Sequence, residues 1–158
     1  MYQLSEYKEP TIYKKNITKF ILWELISTLY FNTPIPGSKM RVLIIKLFGG
    51  VVGKNCIIKP NVKIKYPWKL NIGNYSWIGE KVWIDNIASV TIGNNTCISQ
   101  GTYICSANHD FENNFQLLLQ PVVIGDNCWI AAKCIVGPKS NVPDGTFLKM
   151  GRKFTSSI

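Results

Sequence analysis

Counting in steps of six from Val52 lands on an aliphatic residue at every step: Val52, Ile58, Ile64; Ile72, Ile78, Ile84; Ile92, Ile98, Ile104; then Ile124, Ile130, Val136, Val142 and Leu148. Within each group the step is six, and successive groups start 20, 20 and 32 residues apart. Neither a helix nor a lone strand has that period. Three steps plus two residues describe one turn of a solenoid, whose short parallel strands pair with the turns above and below. The expected fold is an all-β solenoid, a parallel β-helix of hexapeptide repeats, with both ends covered.

Finer features of the repeat carry further expectations. A glycine follows several ladder residues, as in VGKNCI, IGNYSW, IGNNTC and IGDNCW. Its freedom is expected to let the strand bend by about a third of a circle, so that three bends close a triangular coil. Four positions after each ladder residue the side chain is small or slim, as at Cys56, Ser76, Thr96, Cys128 and Cys134. Leu70, Val90 and Val122 precede their ladder residues by two and mark one corner, where the two extra residues of each coil are inserted.

Three of the five cysteines occupy that small-residue slot, no two form a CxxC pair, and the number is odd. They read as compact fillers in a reduced chain. No signal-peptide pattern is legible, and a cytoplasmic location is expected.

Ahead of the ladder, ITKFILWELISTLYF (residues 17–31) has a broad apolar face at helical spacing, and RVLIIKLFGG follows Pro34 and Pro36. This divides the chain into residues 1–50, an N-terminal helical cap over the first coil, and residues 51–158, the β-helix. The cap also has the makings of a peripheral membrane element, too short to span but supplied with Lys and Trp. The net charge is +9, and residues 25–79 carry eight basic residues and no acidic one. Such a surface suits an anionic membrane or a phosphate-bearing small molecule. Without a Lys/Arg block or a recognisable motif, nucleic acid is not an expected partner.

The ladder breaks once. Between Ile104 and Ile124 the chain spends twelve residues more than the 20-residue coil period, an insertion at 106–121, and its head carries the only histidine, His109. A loop that the core can do without, opening on the sole imidazole, reads as the wall of an active site.

The run YPWKLNIGNYSWIGEKVWIDNIASVTIGNNTCISQGTYICSANHDF resembles the left-handed β-helix, hexapeptide-repeat acetyltransferases, in their colanic acid and polysaccharide O-acetyltransferase branch. The resemblance implies left-handed coiling, a homotrimer with sites between subunits, and transfer of acetyl from acetyl-CoA to a sugar hydroxyl without a metal. It implies His109 as general base in a direct transfer, with Asp85 as second catalytic residue at the acceptor. A hydroxyl is a poor nucleophile at neutral pH, and base catalysis by a suitably placed imidazole is worth about 10²- to 10⁴-fold.

Asn86, Trp83 and Gln100 are expected to contact the acceptor. Asp110 either holds the imidazole tautomer or caps a turn. By motif position, Ala131, Ala132, Gly151, Arg152 and Thr155 are expected to contact CoA; Arg152 or Lys153 supplies the charge that relatives take from a lysine near Thr155. A γ-carbonic anhydrase would need three histidine ligands and is excluded. A non-catalytic scaffold and an acetyltransferase for a smaller acceptor, such as an antibiotic or serine, are the alternatives.

Overall fold

The computed structural model describes residues 4–8, 10 and 16–155. From Val51 onward the chain winds into a three-sided parallel β-helix. The first face stacks Val51–Val52, Leu70–Ile72, Val90–Ile92, Val122–Ile124 and Asn141–Val142. The second stacks Ile57–Ile58, Trp77–Ile78, Cys97–Ile98, Trp129–Ile130 and Phe147–Leu148. The third stacks Lys63–Ile64, Trp83–Asp85, Tyr103–Cys105, Ile135–Val136 and Lys153–Phe154.

Every ladder residue pairs in register with the ladder residue of the next coil, for instance Ile78 with Ile98 and Ile84 with Ile104. All of them point inward; Ile58, Ile84, Ile98, Ile104, Ile124, Ile130 and Val136 are wholly buried. The ladder runs one rung further than the sequence count, which ended at Leu148: Lys153–Phe154 pairs with Ile135–Val136, and Phe154 packs against the core. An aromatic side chain in the last rung escaped an aliphatic count.

The corners are built differently from the expectation. The glycines that follow ladder residues do not supply the turn. At Gly73 an added Cβ would lie 2.6 Å from the backbone N of Asn94 and 2.6 Å from the carbonyl carbon of Gly93. Hydrogen there permits close stacking of coils. The turn is made two residues later, where Asn55, Asn61, Tyr75, Lys81, Asn95, Asn127, Lys133 and Lys139 all have φ between 54 and 62 or, for Asn95, 51. Gly101, Gly145 and Gly151 hold the same position elsewhere in the repeat, with φ of 69, 71 and 72.

The slim residues also do more than fit. Ser76 donates to the Gly93 carbonyl at 2.6 Å, Thr96 to Gly125 at 2.7 Å, Cys128 to Pro143 at 3.1 Å and Cys134 to Lys149 at 3.2 Å, each bonding a corner carbonyl of the next coil. Thr96 Oγ1 additionally accepts from the Cys128 amide at 3.1 Å. Thr96→Val keeps the shape and strands a buried amide and a part-buried carbonyl, at a cost of about 1–3 kcal/mol. A lower urea midpoint with unchanged slope is the expected reading.

The cap is helical. Helix α1 (Ile17–Ile26) continues into a π-helical turn (Ser27–Phe31), and α2 (Ser38–Leu47) follows. Trp23, Phe31, Ile45 and Phe48 join the same hydrophobic cluster as the ladder, so cap and coils share one core. The Trp23 indole donates to the Ile64 carbonyl at 2.8 Å, and Ser38 Oγ accepts the Ile58 amide at 2.8 Å. These bonds satisfy polar groups at the end of the first coil.

Candidate active site

All three insertions fall at the corner between the third and first faces. In the first coil the corner is a single 3₁₀ turn, Pro67–Lys69. In the second it is residues 86–89, and in the third the long insertion. Tyr66, Ile87 and Ala107 form a small buried cluster along this edge, with Phe20, Trp68 and Leu117 packed on it.

The long insertion is a β-hairpin. Ala107–His109 pairs antiparallel with Leu117–Leu119, placing His109 opposite Leu117. Ser106 ties its base to the coil below, donating to the Ala88 carbonyl at 3.0 Å and accepting the Ala88 amide at 2.9 Å.

His109 is half-buried at the hairpin's far end. Its Nδ1 lies 2.9 Å from the Phe115 carbonyl oxygen. A carbonyl can only accept, so Nδ1 carries the proton and the neutral ring presents Nε2 as a lone-pair acceptor. No described residue bonds Nε2. Phe115 also stacks on the imidazole, with centroids 4.4 Å apart and planes 14° from parallel, and Tyr7 packs at 5.7 Å. Phe115 adopts φ 57, unusual for an aromatic residue. Its carbonyl is thus held toward the ring by a backbone conformation that the hairpin enforces.

Asp110 takes the turn-capping option. Its Oδ1 accepts from the Asn113 amide at 3.1 Å, and both its oxygens accept from the Asn113 side chain. The carbonyl of Phe115, which sequence reading missed and no local motif signals, does the orienting.

His109, Asp110 and Thr155 line one groove of about 480 Å³, together with Phe111, Gln120 and Lys139. This brings the imidazole to a residue expected at CoA. The remaining sequence candidates lie elsewhere. Gln100, Ala132, Gly151 and Arg152 sit along the corner between the second and third faces, a different edge of the prism; the Lys133 amide donates to the Gln100 carbonyl, and the Gly151 amide to that of Ala132. Ala131, 6% exposed, is mostly inside the core.

Asp85 and Trp83 lie on the third face, one coil below the strand that leads to His109. Asp85 is in register with Cys105. One of its oxygens faces Lys65 Nζ at 3.2 Å and the other accepts from the Tyr103 hydroxyl at 3.1 Å. Burial, with Cys105 and the carboxylate beside it, pushes the Tyr103 phenol well above its ordinary pKa, so it stays a donor at neutral pH. Lys65 and Tyr103 were missed, although the 20-residue period places Lys65 one coil below Asp85. Trp83 is 40% exposed between Lys63 and the Tyr103 ring.

Asn86 is a correction. It is wholly buried, its side chain accepting the Tyr66 amide at 2.9 Å and donating to the Tyr66 carbonyl at 2.6 Å. Bracketing the corner below leaves it no surface for an acceptor. Among the described residues no three His, Cys, Asp or Glu side chains gather as a metal would require.

No protein-family model matches the sequence. The chain is 37% identical over 149 residues to the assigned colanic acid biosynthesis acetyltransferase WcaF of Escherichia coli K12, covering 92% of this chain and 82% of that protein. It belongs to the hexapeptide-repeat acetyltransferases of the colanic acid branch. The galactoside O-acetyltransferase of the same organism is 26% identical over 133 residues, covering 81% of this chain and 66% of that one. Among solved structures, a hexapeptide-repeat acetyltransferase of Vibrio cholerae, determined with acetyl-coenzyme A, superposes with a TM-score of 0.80 at 15% identity, covering 96% of this chain and 86% of its own. The fold is the left-handed parallel β-helix of this family, and the chain is an acyltransferase.

Proposed function

We propose that this acetyltransferase moves acetyl from acetyl-CoA directly to a sugar hydroxyl in the biosynthesis of a surface or exopolysaccharide, with His109 as general base. The carrying observation is the hydrogen bond from His109 Nδ1 to the Phe115 carbonyl, which leaves Nε2 basic beside the groove. The acceptor hydroxyl gives its proton to Nε2 as its oxygen attacks the thioester carbonyl. The tetrahedral adduct then collapses, the carbon–sulfur bond breaks, and the imidazolium returns the proton to the leaving thiolate. Thiol release from acetyl-CoA, measured across nucleotide sugars and lipid-linked oligosaccharides, tests the reading. No release with any acceptor and no CoA binding would leave only a scaffold. Five free thiols suit a reducing, cytoplasmic compartment, which also supports this assignment.

The split of the candidate residues between two edges supports a homotrimer. On the second face Ile57, Trp77, Cys97, Trp129 and Phe147 form one outward column in register, with Trp129 and Phe147 stacked at 4.8 Å and each about half exposed. Aromatic columns of this kind are the usual core of an interface. Packing this face on a neighbour would bring the Ala132–Arg152 edge to the neighbour's His109 groove and complete a CoA site between subunits. Trp129→Asp with Phe147→Asp is expected to give monomers by light scattering and to abolish turnover; a trimer that persists in the double variant would refute the interface.

A further inference from the structure

The cap is apolar on two sides, and only one of them faces the coils. On α1 and its π turn, Trp23, Ser27 and Phe31 are buried; on α2, Arg41, Ile45 and the following Phe48 are buried. Two positions away, about 200° around a helix, stand Ile21, Leu25 and Leu29 on the first segment and Leu43 and Leu47 on the second. With Met40 they are 49–74% exposed. A surface helix of a soluble domain normally turns a polar face outward.

The two outer stripes lie on the same end of the molecule. Tyr30 and Phe31 pack against the Arg41 guanidinium near the start of α2, and Trp23 packs on Phe48 just past its end. The segments therefore run side by side and antiparallel, their inner residues in the core and their outer ones in solvent. So many aliphatic side chains together on one end exceed the singly scattered surface residues of an ordinary monomer.

Charge indicates the occupant. Lys39 and Lys46 are exposed on α2, Lys19 is half-buried on α1, and Glu24 is the only acidic residue between Ile17 and Gly79. An apolar face flanked by lysines matches an anionic lipid surface. A second copy of the chain would bring the same three lysines against a single acidic residue, Glu24. No described helix is long and apolar enough to cross a membrane, so the contact lies in the interface plane.

We propose that the juxtaposed outer faces of α1 and α2 form a membrane-surface contact, laid into the headgroup layer of an anionic bilayer with Lys39 and Lys46 at its rim. The coils then stand away from the bilayer, cap downward. This inference does not rest on the acetyl-transfer reading, and thiol release with a water-soluble acceptor in vesicle-free solution reports on that reading separately.

The experiment is co-sedimentation of the full chain with vesicles of three parts phosphatidylethanolamine to one part phosphatidylglycerol, and with vesicles of phosphatidylcholine alone. Wild type is expected to bind the anionic vesicles preferentially. Leu25→Ser with Leu47→Ser is expected to weaken that binding by at least about tenfold, with unchanged circular dichroism because neither side chain enters the core. Lys39→Glu with Lys46→Glu is expected to abolish the preference for anionic vesicles. Failure of wild type to bind either vesicle, or undiminished binding by the leucine variant, would overturn the proposal. So would a higher oligomer of wild type in solution that the leucine variant loses, since a second copy would then cover the face.

Discussion

His109→Ala is expected to lower turnover by about 10²- to 10⁴-fold while leaving the melting temperature nearly unchanged. The two halves of this expectation come from different parts of the structure. Under the proposed mechanism turnover falls because the imidazole takes the acceptor's proton, its tautomer set by the Phe115 carbonyl 2.9 Å from Nδ1. Stability is spared because the hairpin is an appendage: the coils on either side pair directly, Val90–Ile92 with Val122–Ile124 and Tyr103–Cys105 with Ile135–Val136. The affinity for acetyl-CoA should change little, since in the proposed mechanism the imidazole acts on the acceptor proton. Steady-state thiol release, with acceptor and acetyl-CoA each varied, separates these effects. Acceptor-dependent release that survives the substitution would remove His109 from the mechanism.

The long insertion was legible because it violates the repeat, and its histidine because no other exists. Its hairpin was less so: ANH and LLL pair only because the intervening turn closes on itself, with Asp110 bonding Asn113 and the Phe115 amide donating to the Asp110 carbonyl at 2.7 Å. The strand ladder could be read because burial at a fixed six-residue step is a one-dimensional signal. Relations between coils are two-dimensional and were read only in part. The size of the slot at Ser76 and Thr96 was visible; its demand for a donor to the next coil's carbonyl was not. Asn86 shows the same limit from the other side. Its neighbour Asp85 is on the third face with its oxygens engaged, while one residue further the chain turns inward and the amide disappears into the corner. Proximity in sequence to a chemically suggestive residue carried no information about which way the side chain faced. The division of the CoA candidates between two edges was likewise not legible: six residues move the chain from one edge of the prism to the next, so Arg152 and Thr155, three positions apart, stand at different corners.

Gly73→Ala is expected to destabilise the fold by about 1–3 kcal/mol, seen as a fall in melting temperature of roughly 2–12 °C, although Gly73 makes no turn. The added methyl would meet the Asn94 amide nitrogen and the Gly93 carbonyl carbon, both at 2.6 Å, and the Asn94 Oδ1 at 2.8 Å. None of these can move alone. The Gly73 amide donates to the Ile92 carbonyl at 2.8 Å, and the Asn74 amide to Asn94 Oδ1 at 2.8 Å. Relief therefore requires prying the second coil from the third along a column of bonds. Gly145 provides the contrast: its φ is +71, yet an added Cβ there meets nothing within 4 Å. Gly145→Asn, a residue that tolerates the left-handed conformation, should cost less than about 1 kcal/mol. Thermal unfolding of the two variants side by side discriminates the two uses of glycine. If Gly145→Asn were the more damaging, the repeat's glycines would be serving the bend; the geometry instead makes the one before the bend indispensable, because it sets how closely one coil can lie on the next.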